Sequence, residues 1–279
     1  MASISTGAWK EFWNKGRWWK AFLIAIVYLG LYLGAGWVSG IISPTQVNLD
    51  NIFDSPTGVF FGLTFGLLIG AILLSAFVAS LSWFGDLFKR QPVKGRWWMW
   101  LGPAIPVLAI ALRLFGIDYG TYLPSVVMLT LATGLLVGFT EEILTRGIAV
   151  KILREAGLGE WSVAVLSSLV FALLHTANLF SGMSLLTVLG TVGYTLAFGM
   201  LMYLTLRVTG YLIWPMLIHG LTDPTLMLAS GGIDQAGVTQ NVFLELAGPA
   251  NLLTIIGAVV ALIFIRGRVF RDTPAVELK

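Results

Sequence analysis

Long apolar runs, separated by short stretches rich in charge, Gly, Pro or Asn, dominate the chain. A helix needs about 20 apolar residues to cross a hydrocarbon core about 30 Å thick. The alternation of a β-strand is absent from these runs, which argues against an outer-membrane barrel. The pattern therefore predicts about eight membrane-spanning helices, at residues 21–38, 58–84, 97–114, 124–152, 161–179, 185–206, 211–228 and 251–269.

The predicted fold class is all-α: a polytopic membrane protein built as a bundle of about eight transmembrane helices. We divide the chain into an N-terminal cytoplasmic or interfacial segment (1–20), helices 1–3 (21–121), a core of helices 4–7 (122–228), and an outer loop with the last helix and a basic tail (229–279). The first apolar run is too long for a typical signal peptide, so we expect it to be retained as a helix. Residues 8–20 mix aromatic and basic side chains, which suits either a segment on the inner leaflet or an ordinary cytoplasmic flank.

Basic and acidic residues occupy alternate loops. One set of loops holds Lys10, Lys15, Arg17, Lys20, Lys89, Arg90, Lys94, Arg96, Lys151, Arg154, Arg207, Arg266, Arg268, Arg271 and Lys279. The other set holds Asp50, Asp54, Asp118, Asp234 and Glu245, with Arg113 as its only basic neighbour. The positive-inside rule then predicts cytoplasmic N- and C-termini, and we expect the plasma (inner) membrane of a prokaryote.

The composition excludes several classes of protein function. Hydrophobic residues make up 57% of the chain and charged residues 11%, whereas a soluble domain is typically about 25% charged. The shortfall excludes nucleic-acid binding, extended disorder and most cytosolic enzymes. The absence of Cys excludes disulfides, thiolate metal sites and cysteine nucleophiles.

Much of the glycine is spaced by four residues. The pairs or series are Gly30/Gly34, Gly36/Gly40, Gly58/Gly62/Gly66/Gly70 and Gly134/Gly138. Small residues at this spacing let helix backbones approach closely in a membrane. Such faces serve either internal contacts or a partner, so the oligomeric state stays open.

Six ionisable residues fall inside predicted spans: Glu141, Glu142, Arg146, His175, His219 and Asp223. Each charge at the bilayer centre costs at least about 3 kcal/mol, so the group predicts a functional site. Glu142 and Arg146 are four residues apart and can pair, whereas Glu141 points elsewhere and keeps a free carboxylate. Their depths along the helices predict one meeting level, in a water-containing cavity in the inner half of the bundle.

A carboxylate, two imidazoles and a water are the parts of general-base hydrolysis. Other designs of intramembrane hydrolase fit less well. The His-Glu-x-x-His signature of zinc proteases is absent. A serine enzyme needs a His near its Ser, but Ser39 has no His near its depth, and an aspartyl enzyme needs two facing Asp, but Asp223 is the only Asp well inside a span. Two His and a carboxylate can also bind a divalent ion. The residues alone equally allow a carrier or channel in which these groups relay protons or coordinate an ion.

Three motifs carry a resemblance to a known family. They are Glu141-Glu142-Ile-Leu-Thr-Arg146, Phe171-Ala-Leu-Leu-His175 and His219-Gly-Leu-Thr-Asp223, the last preceded by Leu-Ile-Trp-Pro-Met-Leu-Ile at 212–218. In this order, on successive spans, they resemble the CAAX-protease and bacteriocin-processing (CPBP, or Abi) family of intramembrane endopeptidases. The resemblance covers about 125–228 and implies an eight-helix membrane bundle.

The resemblance also implies roles. Glu141 and His175 would activate the attacking water, and His219 and Asp223 would form or orient the oxyanion site. Glu142 and Arg146 would shape the base. An Asn can donate to an oxyanion but an ionised Asp cannot, so Asp223 is either protonated or fixes the tautomer of His219.

The expected function is therefore that of a glutamic-type intramembrane endopeptidase without a metal or other cofactor. Its partners would be the lipid bilayer and a membrane-associated peptide or protein, and no nucleic acid. Nothing in the chain marks a prenyl group as part of the substrate. The alternatives are a proton- or ion-coupled carrier and a non-catalytic bacteriocin-immunity member of the same fold.

Overall fold

The computed structural model describes residues 6–47, 49–231 and 241–269. Helices are the regular elements of these residues, apart from one isolated bridge between Gly159 and Arg268. The helices are α1 Thr6–Asn14, α2 Trp19–Ile42, α3 Pro56–Ser80, α4 Phe84–Phe88, α5 Trp97–Gly116, α6 Pro124–Glu155, α7 Glu160–Leu179, α8 Leu185–Thr209, α9 Ile213–Ser230 and α10 Val242–Phe264. The all-α prediction is confirmed, while Asp234, Arg271 and Lys279 of the topology prediction lie outside the described residues.

Seven helices in the described part of the chain are long and apolar enough to cross a membrane: α2, α3, α5, α6, α7, α8 and α10. The protein is therefore a multi-pass membrane protein. Helix α9 has 18 residues but is not among the seven, because His219, Asp223 and two prolines lower its hydropathy. The eighth span, like the cytoplasmic placement of the termini, stays a prediction.

Two predicted boundaries are wrong. The last helix begins at Val242 and ends at Phe264 instead of spanning 251–269, because the Asn241 side chain caps it by accepting from the N–H groups of Phe243 and Leu244. The second run does not continue to Phe84: α3 ends at Ser80 and the chain turns through Ser82 at φ 60°.

The N-terminal segment forms a helix that docks on this turn. Trp9 donates its indole N–H to Ser80 Oγ at 3.0 Å, and Trp83 donates to Asn14 Oδ1 at 3.0 Å. Trp13 is buried between them. Residues 6–14 are thus held by protein contacts, at the same end of the bundle as the basic loops.

Successive helices alternate in direction, which gives the bundle two chemically different ends. At the basic end, the starts of α7 and α9 lie beside the ends of α6, α8 and α10. There Glu160 accepts from Arg154 at 2.8 Å, from Arg207 at 3.1 Å and from the Tyr203 hydroxyl. At the acidic end, near Asp118 and Glu245, the Tyr122 hydroxyl donates to the Leu228 carbonyl at 2.8 Å.

Helices α6 and α9 approach each other closely along their backbones. A Cβ on Gly138 would lie 2.1 Å from the Met216 carbonyl oxygen, and one on Gly134 would lie 2.3 Å from that of Gly220. The prediction of close helix approach is confirmed here. This contact brings the carboxylates of α6 beside His219 of α9.

The other glycine faces behave differently. Gly66 and Gly70 lie against the rings of Tyr32 and Tyr28 on α2, so they accommodate side chains instead of a helix backbone. At Gly30, Gly34, Gly36 and Gly40, a Cβ would meet no neighbouring part of the described chain within 4 Å. These four glycines make no internal helix contact among the described residues, so of the two predicted uses only contact with a partner stays a prediction for them.

Candidate active site

The Glu-Glu-x-x-x-Arg motif lies where α6 changes its winding. Regular α-helix ends at Glu142, and Ile143–Ala149 follows as a π-helical segment, a form often found at functional sites. Glu142 is fully buried, whereas the Glu141 side chain is 19% exposed. The two carboxylates point in different directions, as their adjacent positions on a helix predict.

Arg146 is buried and has partners on three sides. Its Nη1 donates to Glu142 Oε1 at 2.9 Å and to Thr145 Oγ1 at 2.6 Å, and its Nη2 donates to the Gly199 carbonyl at 2.8 Å. The guanidinium carbon lies 4.7 Å from the centroid of the Phe171 ring. The predicted pairing of Glu142 with Arg146 is confirmed, and the extra hydrogen bonds offset the cost of burying two charges.

His219 joins this ion pair. Its Nδ1 lies 2.8 Å from Glu142 Oε1, while Nε2 lies 3.6 Å from Asp223 Oδ2 and 3.9 Å from Glu141 Oε2. Because an ionised carboxylate only accepts, Nδ1 is the donor to Glu142. Glu142 therefore fixes the tautomer of His219, a role that sequence reasoning assigned to Asp223 as one option.

Aromatic rings hold His219 in place. Phe171 and Phe198 meet the imidazole edge-on, with centroids at 5.3 Å and 5.1 Å. Such edge-to-face pairs restrict ring orientation and exclude water. The imidazole is consequently buried at Nδ1 and presents Nε2 toward the two remaining carboxylates.

His175 ends the regular part of α7. Its Nδ1 lies 3.1 Å from the Phe171 carbonyl oxygen, and its ring lies 5.0 Å from the Phe171 ring, as the spacing of four predicts. A carbonyl oxygen can only accept, so Nδ1 carries the proton in this contact. In that tautomer Nε2 has a free lone pair.

One cavity of about 520 Å³ brings the predicted residues together. Glu141, His175, His219 and Asp223 all line it, while Glu142 and Arg146 support it from behind. Its size lies within the usual range of ligand pockets. The prediction that the six residues meet at one level is thus confirmed.

The cavity reaches beyond its predicted position, the half of the bundle that bears the basic loops. The lining continues from Glu141 toward the acidic end, as far as Asn178, Thr187 and Asn251. The basic half is filled instead by apolar side chains of α6 with no exposed surface, among them Ile148 and Leu153. The sequence could not show which half would be packed shut.

Sequence reasoning missed several residues of the cavity wall. Tyr28 and Tyr32 line it from α2 and Phe198 lines it from α8, while the Gly199 carbonyl of α8 accepts from Arg146 behind the wall. The tyrosines had a signal: their spacing of four matches that of the glycines they contact on α3. By contrast, no sequence pattern indicates that a backbone carbonyl such as that of Gly199 will accept a hydrogen bond from Arg146.

Arg113 was also missed as a buried residue. It is 5% exposed, its Nη1 has no hydrogen-bond partner in the described chain, and it interacts electrostatically with Tyr194 and Asp223. Its position near acidic loops was visible in the sequence, but its burial was not.

Among the described residues, no group of three His, Asp or Glu side chains is arranged to hold a metal ion.

Comparison with known proteins bears on this arrangement. Residues 123–225 match the family model described as "Type II CAAX prenyl endopeptidase Rce1-like". The expected resemblance is confirmed. The Rce1-like stretch contains all six predicted site residues and falls within the predicted core, 122–228. No curated protein and no solved structure matches the chain significantly.

Proposed function

We propose that the protein is an intramembrane endopeptidase that hydrolyses a peptide bond with a water activated by Glu141. One observation carries the proposal: the Glu141 carboxylate lines the cavity, and its Oε2 makes no hydrogen bond and has His219 Nε2 at 3.9 Å, in a stretch that matches a peptidase family. A general base must have an oxygen available for the proton that it removes. Glu142 differs in position: Arg146 and His219 bind its Oε1, and its Oε2, which also makes no hydrogen bond, is buried behind the wall and does not line the cavity.

The proposed reaction is a direct hydrolysis. Glu141 takes a proton from water as the water oxygen attacks the peptide carbonyl carbon, which gives a tetrahedral intermediate with a negative oxygen. The proton passes from Glu141 to the amide nitrogen as the carbon–nitrogen bond breaks. The products are one peptide with a new carboxyl group and one with a new amine, and the enzyme returns to its starting state.

His219 is the proposed donor to the oxyanion. Its Nδ1 is held by Glu142, and a second proton on Nε2 makes an imidazolium that can donate into the cavity. A preorganised donor of this kind stabilises the charge that develops in the transition state. His175, with its Nδ1 on a carbonyl, offers Nε2 to orient the attacking water beside Glu141.

The Oδ2 atom of Asp223 lies 3.6 Å from Nε2 of His219, the nitrogen proposed to donate to the oxyanion. An ionised Asp223 would compete with the oxyanion for the Nε2 proton, whereas a protonated one would be a second donor. Asp223→Asn keeps a donor and removes the charge, whereas Asp223→Leu removes both, so the two variants separate these roles. Activity kept by Asp223→Asn and lost by Asp223→Leu would identify a donor, and loss in both would identify an ionised Asp223 that orients His219.

The proposed substrate is a peptide or protein already associated with the bilayer. The cavity lies within the membrane-spanning part of the bundle and accepts only a few residues at its volume of about 520 Å³. The description of the matched family names prenylated CAAX substrates; for this chain, a lipidated peptide is one of two classes to compare. The proposed reaction needs no metal ion.

Glu141→Gln tests the proposal. The purified protein in lipid nanodiscs is incubated with a library of quenched fluorescent peptides, with and without a C-terminal lipid. We expect cleavage by the parent protein and none by the variant, with unchanged thermal unfolding of both. Glu155→Gln is the matched control, since it makes the same chemical change on the same helix, beside Lys151 and away from the cavity.

The same preparation separates the alternatives. Ion-coupled flux into liposomes without peptide cleavage would replace the peptidase by a carrier. Binding of a bacteriocin peptide without its hydrolysis would indicate an immunity protein. Full cleavage by Glu141→Gln would disprove the assigned base.

A further inference from the structure

The cavity is closed at one end and open at the other, and this difference does not depend on the chemistry assigned to the site. Its inner wall is made by buried residues such as Phe171 and His219, each 1% exposed. Its other end includes Thr187 and Asn251, both exposed. The open end is therefore reached beside the first turn of α8 and the third turn of α10.

These turns belong to the acidic end of the bundle. Helix α8 runs from Ser184, which caps its start, to Arg207 in its last turn, so Thr187 and Arg207 lie at opposite ends. On α10, Glu245 is in the first turn and Asn251 lies two turns further along, in the half of the helix that begins at the acidic end. The mouth of the cavity thus lies far from every basic loop.

The basic end is closed by a buried ionic cluster. Glu160 holds Arg154 and Arg207, Arg154 also donates to Gln91 at 2.5 Å, and Arg207 donates to the Lys94 carbonyl at 3.0 Å. These bonds join α6, α7, α8 and the loop before α5. No lining residue of the cavity takes part in them.

Charge orients the bundle in the membrane. Loops with an excess of Lys and Arg remain cytoplasmic, and the described basic residues Arg90, Lys94 and Arg268 all lie at the basic end. Asp54, Asp118 and Glu245 lie at the other. The single basic residue near that other end, Arg113, is buried within the bundle and adds no charge to a loop.

From these observations we infer that the active-site cavity opens to the extracytoplasmic side of the membrane. The substrate class follows, and this part rests on the proposed function: a peptide anchored in the outer leaflet or delivered across the membrane, whose scissile bond enters from outside. A peptide tail that is presented in the cytoplasm would have to pass the buried ionic cluster of the basic end.

Single cysteines test the direction, because the natural chain has none. Thr187→Cys and Asn251→Cys report the mouth, Lys94→Cys reports the basic end, and Ile26→Cys reports the lipid-facing surface, where Ile26 is 68% exposed. A membrane-impermeant maleimide is added to spheroplasts and, separately, to inverted membrane vesicles. Labelling is read on a gel without any need for peptidase activity.

We expect both mouth cysteines to react in spheroplasts and Lys94→Cys to react only in inverted vesicles. Ile26→Cys should react in neither until detergent is added. Reaction of the mouth cysteines only in inverted vesicles would overturn the inference, as would their behaving like Ile26→Cys. Failure of the proposed peptidase activity would leave the labelling pattern unchanged, so the two hypotheses fail separately.

Discussion

The Nδ1 atom of His219 lies 2.8 Å from Oε1 of Glu142, the same oxygen that accepts from Arg146 at 2.9 Å. Three residues from two helices therefore share one buried carboxylate oxygen. This relationship gives the two adjacent glutamates different parts in the site: Glu141 faces the cavity, and Glu142 positions the imidazole.

Glu142→Gln should separate positioning from base catalysis. The amide keeps the size of the side chain and an acceptor oxygen but loses the charge that fixes the proton on His219 Nδ1. We expect kcat to fall about 100-fold or more, as on loss of an oxyanion donor, while KM changes little. Steady-state cleavage of a peptide substrate measures both constants, and a raised KM with unchanged kcat would contradict the positioning role.

Gly138→Ala should damage the site from a distance. The new methyl would lie 2.1 Å from the Met216 carbonyl oxygen, so α6 and α9 must separate. Overpacking of this kind costs about 1–3 kcal/mol, and it would also pull Glu142 away from His219. We expect a lower thermal unfolding temperature together with reduced cleavage.

Gly34→Ala is the matched control, since nothing in the described chain lies within 4 Å of its methyl position. We expect its stability to be equal or slightly higher, because alanine favours a helix over glycine. If both substitutions behave alike, the close contact of α6 with α9 does not position the site.

Much of this arrangement is visible in the sequence, since apolar runs locate the helices and charges within them locate the site. A spacing of four residues predicts the contacts within one helix, such as Glu142 with Arg146. Contacts between helices depend on rotation and depth, which hydropathy does not encode. For this reason the sequence could not predict that Glu142 would hold His219, nor that apolar side chains would close the basic half.

The role of charges at the ends of spans could not be predicted either. Glu160 lies at the start of a span, where a charge normally meets water, and yet it is fully buried and binds two arginines. Hydropathy treats such a residue as a boundary marker. Its role depends on Arg207, 47 residues further along the chain.

Glu160→Gln should therefore destabilise the protein strongly. Removing one partner of a buried ionic group costs about 3–5 kcal/mol, because the charges left behind stay unpaired. We expect a marked fall in the unfolding temperature measured in detergent, with peptidase activity per folded molecule largely kept.

Asp86→Asn provides the comparison at the same end of the bundle. Asp86 is partly exposed, and its hydrogen bonds with Lys89 and Lys151 hold the pKa of its carboxyl below its ordinary value. An exposed ion pair contributes about 0–1 kcal/mol, so the unfolding temperature should hardly move. Equal effects of the two substitutions would show that the Glu160 cluster does not stabilise the basic end.

Two of the buried arginines, Arg146 and Arg113, should respond in opposite ways to replacement by methionine. Arg146→Met leaves Glu142 buried without its ion-pair partner, so we expect lower protein levels, a lower unfolding temperature and loss of cleavage.

Arg113 has no ion-pair partner in the described chain, and its Nη1 makes no hydrogen bond there. Arg113→Met removes a buried charge that is compensated only by longer-range interaction with Tyr194 and Asp223, and it should leave the unfolding temperature unchanged or raise it. Differential scanning fluorimetry of both variants in nanodiscs measures the contrast. Strong destabilisation by Arg113→Met would mean that its electrostatic interaction with Asp223 outweighs the cost of burying the guanidinium.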